Sequence, residues 1–377
     1  MHDCISKKRI RMDIYEELGV KKIINGWGTV TKVSGSLMDD KVLEAMRDAS
    51  KHYVLIEELH LKAGERIAEI LGVEAACVTA GAAAGIAISA AAAMTLGNKS
   101  RALQLPDTTG MRNEALVLKC HRTLYDQALP MTGIKVIEVG TTSFADIEQI
   151  EQAINDKTAM FFFAAEAENM RGSVDIVKII ELMHRYNLPV IVDAAAEIPP
   201  TINIMKYLEL GADMVIFSGG KEIRGPQASG LILGKKHWIS ACNANCCPQY
   251  SIGRPMKIDK ETIVGLVKAI EIFVSKDYDI ELKKWEKMSQ TIFERLKNNK
   301  YANVRTDYPT EPGIQPVNIL RVYIKPLRKL ARDLYNELIS LPIPIYTHLD
   351  KDSLVINPQC LNEDEIEYMC QTIIEVL

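Results

Sequence analysis

Three segments carry residues able to do chemistry together. In "FSGGKEIRGPQASGLILGKK", residues 217 to 236, a single lysine, Lys221, sits among glycines just past an apolar run, with Ser218 three residues before it. A lysine on a solvated face reaches water on its own four-carbon stem and needs no such backbone. Glycines around it imply that something bulky comes close to the chain. At the edge of a cleft such a lysine loses hydration, its pKa falls, and it becomes a competent Schiff-base nucleophile. The run "LPVIVD" ends on Asp193, a carboxylate costly to bury without a donor or cation beside it; the alternative is a helix N-cap. In "VTAGAAAG" a strand-like run turns through Gly81, Ala82 and Ala83 into a helical pattern. The first N–H groups and the dipole of that helix suit a phosphate, although an Ala/Gly-rich helix packed on a sheet reads the same way.

A phosphate anchor, a buried anion and an amine, in that order, are the requirements of pyridoxal 5′-phosphate. The elements that must position them alternate. Residues 75–80, 135–139, 159–164, 188–193, 213–218 and 230–233 read as short apolar strands, with helical patterns over 82–96, 145–155 and 174–187. The pattern predicts an α/β fold with a mostly parallel sheet, whose ligand site lies at the carboxyl ends of the strands. Residues 259–298 have helical periodicity, and beyond them "VNILRVYI", "LRKLARDLYNELISL", "SLVINP" and a final helix capped by Asn362 predict a smaller C-terminal α/β domain.

At 377 residues, 47% hydrophobic and 25% charged, the chain has the composition of a globular protein of about two domains. A net charge of −4 supplies no general field for nucleic acid. The first twenty residues are too charged for a signal peptide, and no run is a convincing membrane span, so a cytoplasmic location is expected. The eight cysteines then read as reduced thiols. Cys242, Cys246 and Cys247, in "CNANCCP", lack metal-ligand spacing, and no metal is expected.

The chain resembles the fold-type I pyridoxal-phosphate enzymes, and within them the group similar to bacterial selenocysteine synthase and the D-glucosaminate-6-phosphate ammonia-lyases. The resemblance is carried by "IINGWGTVT" (23–31), "HLKAGERIAEILGVEAACVTAGAAAG" (60–85), "HRTLYDQAL" (121–129), "DAAAE" (193–197), "SGGKEIRGPQASGLILGKK" (218–236) and "GRPMKIDKE" (253–261). It covers residues 20 to 265 and is more specific for the cofactor than for the reaction. It implies an N-terminal arm over 1–22, a large cofactor-binding domain over 23–265, and a connecting helix with a small domain over 266–377. Lys221 would be the lysine that carries the cofactor, Asp193 the partner of its pyridinium nitrogen, and Gly81, Ala82, Ala83 and Ser218 the phosphate cradle. His121 would lie against the ring, with a structural histidine as the alternative. Arg254 would meet an anionic group of the substrate, Arg171 and Arg224 being weaker candidates of the same kind. The glycine-rich "INGWGTV" would line the cleft near a dimer interface.

Only about twenty residues precede the segment resembling "IINGWG", where selenocysteine synthases carry a further tRNA-binding domain. That departure and the acidic balance favour an ammonia-lyase acting on a small amino acid with an extra anionic group, through α-proton removal by Lys221 and loss of a β-hydroxyl. The expected assembly is a homodimer or larger. A selenocysteine synthase-like transferase, a racemase or a C–S β-lyase shares the first step. The non-enzymatic alternative, a binding protein that keeps the fold, is disfavoured by the presence of both Lys221 and Asp193.

Overall fold

A computed structural model describes residues 13–310 and 314–377. Residues 1–12 of the expected N-terminal arm lie outside the described residues. In chain order the strands are β1 (Ile24–Gly26), β2 (Ala75–Thr79), β3 (Glu114–Leu118), β4 (Lys135–Val139), β5 (Thr158–Ala164), β6 (Val190–Asp193), β7 (Met214–Ser218), β8 (Gly230–Gly234), β9 (Ala302–Asp307), β10 (Arg321–Pro326), β11 (Ile345–Asp350) and β12 (Ser353–Ile356). They form two sheets, one in each of two compact units.

Among the described residues the larger unit holds Thr29–Leu282 together with 309–310 and 314–318. Its seven-stranded sheet runs β2-β8-β7-β6-β5-β3-β4. The pairs from β7 through β6, β5 and β3 to β4 are parallel, and β8 runs antiparallel to both β7 and β2. All seven residues of β5, "TAMFFFA", are buried, which is why this strand is a continuous apolar run without alternation. Its Phe161, Phe162 and Phe163 are at most 1% exposed. Each such side chain stabilises the fold by about 1.5–3 kcal/mol relative to an exposed one.

On one side Phe162, Ile191, Ile216 and Ile232 share a core with the helix Ala82–Thr95. That helix is almost entirely buried, and alanine at most of its positions lets it lie close to the strands. The helix Ile176–Arg185 packs on β5 and β6 with an apolar stripe of Ile176, Ile179, Ile180 and Met183, and Asp175 caps it by accepting from the Val177 N–H. The long helical pattern predicted over 259–298 is two helices, Lys260–Ser275 and Tyr278–Leu296.

Among the described residues the smaller unit comprises 13–28 together with Lys283–Tyr308 and Ile319–Leu377. Its sheet runs β1-β11-β12-β10-β9, with β1 parallel to β11 and the other pairs antiparallel. The segment Ile24–Gly26 thus belongs to the small sheet, although its wording reads as part of the larger domain. The Asn25 carboxamide oxygen accepts from the N–H groups of Trp27 and Gly28, at 3.0 and 3.1 Å, and turns the chain out of β1. The final helix is Glu365–Val376, so the cap falls at Asp364 rather than at Asn362. Among the described residues no helix is long and apolar enough to cross a membrane.

Candidate active site

Sheet register brings the chemistry-bearing residues to one edge. Thr79 at the end of β2 and Ser218 at the end of β7 both pair with Gly230 at the start of β8. Asp193 at the end of β6 pairs with Ile216 on one side and Ala164 on the other. The turns leaving these strands enclose a cavity of about 190 Å³ within the larger unit. Gly81, Ala82, Ala83, Asp193, Ser218 and Lys221 all line it. So do Glu166, Glu197, Tyr125, Thr31 and Gln227, none of them among the residues expected at the site. No residue of the expected cleft-lining segment "INGWGTV", 24–30, lines this cavity; Thr31, the residue after it, does.

The glycines before Lys221 have a different cause from the one their setting suggests. A Cβ on Gly219 would lie 2.1 Å from the Ser229 Oγ, and one on Gly220 would lie 2.5 Å from the Gln227 Cα. What comes close is the chain's own second turn. The Gly219 N–H donates to the Ser229 carbonyl at 2.8 Å, and the Gly225 N–H donates to the Gly219 carbonyl at 2.8 Å. The Gly220 carbonyl accepts from the Ser36 N–H at 3.2 Å and from its hydroxyl at 3.0 Å. Next to the lysine, buried Glu222 accepts from the Tyr278 hydroxyl at 3.0 Å. The glycines therefore let two turns lock together backbone to backbone, and the Lys221 amine is presented from a fixed support.

Burial lowers the Lys221 pKa, against the upward pull of Asp193, Glu166 and Glu197. Burial likewise raises Asp193, while the Ala195 N–H, 3.1 Å from Oδ1, and the Lys221 charge act to lower it. Each group thus disfavours its own charge and favours its neighbour's. A shielded amine beside a shielded carboxylate is suited to hold or pass a proton. Gly81 supplies the third part. Its φ of +93° is open to glycine but strained for other residues, and no side chain caps the helix it starts. The first N–H groups of Ala82–Thr95 therefore face the cavity bare, as an anion site requires.

Three predicted site residues lie elsewhere. His121 does not line the cavity: it is fully buried, edge-on to Phe163 at 4.4 Å between centroids. Its Nδ1 accepts from the Ala164 N–H at 3.3 Å, which leaves the proton on Nε2 to donate to the Ser173 hydroxyl at 2.9 Å. Burial pushes its pKa down to about 4, so it is a neutral ring bracing the ends of β3 and β5. From the same "HRTLYDQAL" segment, Tyr125 reaches the cavity instead. Arg254 is exposed, with Nη1 3.6 Å from the Cys247 Sγ, and Arg171 is also exposed; neither lines the cavity. Cys246 lies 3.4 Å from Cys77, and Cys242 lies 3.5 Å from the Met214 sulfur, all buried in the core. Among the described residues no group of three His, Cys, Asp or Glu is arranged to hold a metal.

This sheet, with its strand-end lysine and aspartate, is the fold of the fold-type I pyridoxal-phosphate enzymes. The family model for L-seryl-tRNA selenium transferase, SelA, matches residues 23–362, and the chain belongs to that family. It is 33% identical over 373 residues to the D-glucosaminate-6-phosphate ammonia lyase of Salmonella typhimurium, an alignment covering 97% of this chain and 98% of that one. It is also 33% identical over 269 residues to a 5'-C-glycyluridine monooxygenase-decarboxylase of a Streptomyces species, covering 69% of this chain and 65% of that one. A solved structure of D-glucosaminate-6-phosphate ammonia-lyase superposes with a TM-score of 0.83 at 31% identity, over 97% of this chain and 98% of that one.

Proposed function

We propose that the protein is a pyridoxal-phosphate-dependent ammonia-lyase that converts a β-hydroxy amino acid bearing a further anionic group to a 2-oxo acid and ammonia. The observation that carries this reading is one cavity in which the Lys221 amine, the Asp193 carboxylate and the bare Gly81–Ala83 turn meet. Near full-length similarity to an ammonia lyase supports the reaction. The residues fit the cofactor: Lys221 to hold its aldehyde carbon, Asp193 its ring nitrogen, and the Gly81–Ala83 turn with Ser218 its phosphate. When bound, the cofactor supplies an electron sink that acidifies the substrate α-carbon. Lys221 is positioned as the base that takes that proton, and Asp193 keeps the ring nitrogen protonated. All described cysteines are free thiols, which supports the cytoplasm as the compartment.

The reaction is tested by incubating purified protein and pyridoxal phosphate with a panel of D- and L-amino acids and sugar amino acids that includes D-glucosaminate 6-phosphate. Ammonia and 2-oxo acid are expected in equal amounts from a phosphorylated member. Racemised substrate without ammonia would defeat the reading.

The cradle has its own test. A Cβ at Gly230 would lie 2.6 Å from the Gly81 carbonyl carbon and 2.8 Å from the Ala82 nitrogen. Gly230→Ala must displace the turn, at a cost of about 1–3 kcal/mol in stability, and should also weaken pyridoxal phosphate binding. A thermal midpoint and a cofactor titration matching wild type would show that the turn does not hold the phosphate.

Arg254 is proposed as an anion contact supplied across a homodimer, since its guanidinium is exposed and outside the cavity within one chain. Arg254→Lys is expected to weaken substrate binding by about 1.5–3 kcal/mol, seen as a raised KM, because a lysine cannot make the paired hydrogen bonds of a guanidinium. Cofactor affinity should not change. Unaltered kinetics, or a fully active monomer by light scattering, would remove Arg254 from the site.

A further inference from the structure

We propose that Glu197 is the catalytic acid that protonates the departing β-oxygen of the substrate, a role that rests on the ammonia-lyase reading above. Glu197 lines the same cavity as Lys221, and its Oε1 is buried without a hydrogen-bond partner. Its backbone is pinned on both sides: the N–H donates to the Ala194 carbonyl at 3.2 Å, and the carbonyl accepts from the Asn203 carboxamide at 2.7 Å. A carboxyl oxygen fixed in place, shielded from water and given no protein partner is poised either to keep a proton or to meet a substrate atom.

The surrounding charges favour the proton. Lys206 is committed to Glu168 at 2.6 Å, and the Tyr207 hydroxyl donates to the same Glu168 oxygen at 2.8 Å. Glu166 and Asp193 face Glu197 with negative charge, and Lys221 is the cation shared among all three. Burial is the largest influence on Glu197; Lys206 opposes it, Glu168, Glu166 and Asp193 reinforce it, and the result is a pKa of about 7. Glu166 is raised as well, by burial and by Asp193 against the pull of Lys221, but of the two only Glu197 has a carboxyl oxygen buried without a partner. Of the two cavity glutamates, Glu197 is therefore the one placed to carry a proton at neutral pH.

Hydroxide is a poor leaving group, and a carboxylic acid of this strength removes the difficulty. The α C–H bond breaks with its proton passing to the Lys221 amine, and its electron pair becomes the second bond between Cα and Cβ. The Cβ–O bond breaks with its pair on oxygen, and the Glu197 proton completes a water molecule. Glu197 is left as a carboxylate and regains its proton from the Lys221 ammonium or from solvent. Nothing is oxidised or reduced.

The test compares Glu197→Gln with Glu166→Gln and wild type, all loaded with pyridoxal phosphate and shown to share one absorption spectrum. With D-glucosaminate 6-phosphate, Glu197→Gln should release ammonia about 100-fold more slowly than wild type. It should still exchange the substrate α-hydrogen for deuterium. The 3-chloro-3-deoxy analogue, whose leaving group needs no proton, should restore elimination in Glu197→Gln.

A readout without cofactor is the denaturation midpoint of the apoprotein. A carboxyl whose folded pKa is raised contributes stability at low pH that is lost as pH rises from the ordinary glutamate value of 4.5 through about 7. Wild type should therefore lose stability relative to Glu197→Gln across that window. Elimination by Glu197→Gln at the wild-type rate, exchange and elimination falling together without rescue by chloride, or parallel stability curves would each overturn the role. A wild type that exchanges no α-hydrogen and releases no ammonia overturns the lyase reading itself, which separates the two failures.

Discussion

Lys221→Ala is expected to lower ammonia release by about 10⁴-fold, the upper range for loss of a positioned base. The variant should still fold, because Lys221 borders the cavity and the loop that presents it is held by main-chain bonds from Gly219, Gly220 and Gly225. It should also lose the visible absorption that depends on covalent attachment of the cofactor. Added methylamine should restore a fraction of the α-hydrogen exchange, since a free amine can enter the space the side chain leaves. Turnover near wild type would show that the base is another group.

Asp193→Asn is expected to retain the fold and the cofactor but lose about 100-fold or more in α-hydrogen exchange, because a neutral partner does not hold the ring nitrogen protonated. Its Oδ1 accepts from the Ala195 N–H, a bond that the asparagine carbonyl can keep, so the turn after β6 should survive. What asparagine lacks is the negative charge. The measurement is deuterium incorporation into substrate, followed by magnetic resonance, alongside far-ultraviolet circular dichroism. Undiminished exchange would separate Asp193 from the chemistry.

The residues at the core of the site were legible because each ends an apolar run. Asp193 and Ser218 close β6 and β7, and Gly81 opens the helix after β2, so knowing that ligands gather at strand ends was enough to collect them. The same rule applied to "FFFAAEAE" would have found Glu166, two residues past the end of β5. Glu197 was harder. It lies four residues past its strand, and its burial depends on how the turn folds back, which no periodicity records. β3, "EALVL", is short and lacks the long apolar run that marked β5. The sheet order was invisible for a different reason: β8 pairs antiparallel with β7, the strand before it, and also with β2, far away in sequence, and pairing partners follow from packing rather than local pattern. His121 shows the limit of a motif, since a histidine quoted beside a tyrosine gives no sign that the tyrosine reaches the cavity while the imidazole braces a strand end.

Everything proposed depends on pyridoxal phosphate being held through the Lys221 amine. The most direct measurement is borohydride reduction of the cofactor-loaded protein followed by peptide mapping with mass spectrometry. A single pyridoxyl adduct on the peptide containing Lys221, absent from Lys221→Ala, is the expected result. An adduct on a different lysine, or no adduct on a protein that nonetheless releases ammonia, would contradict it.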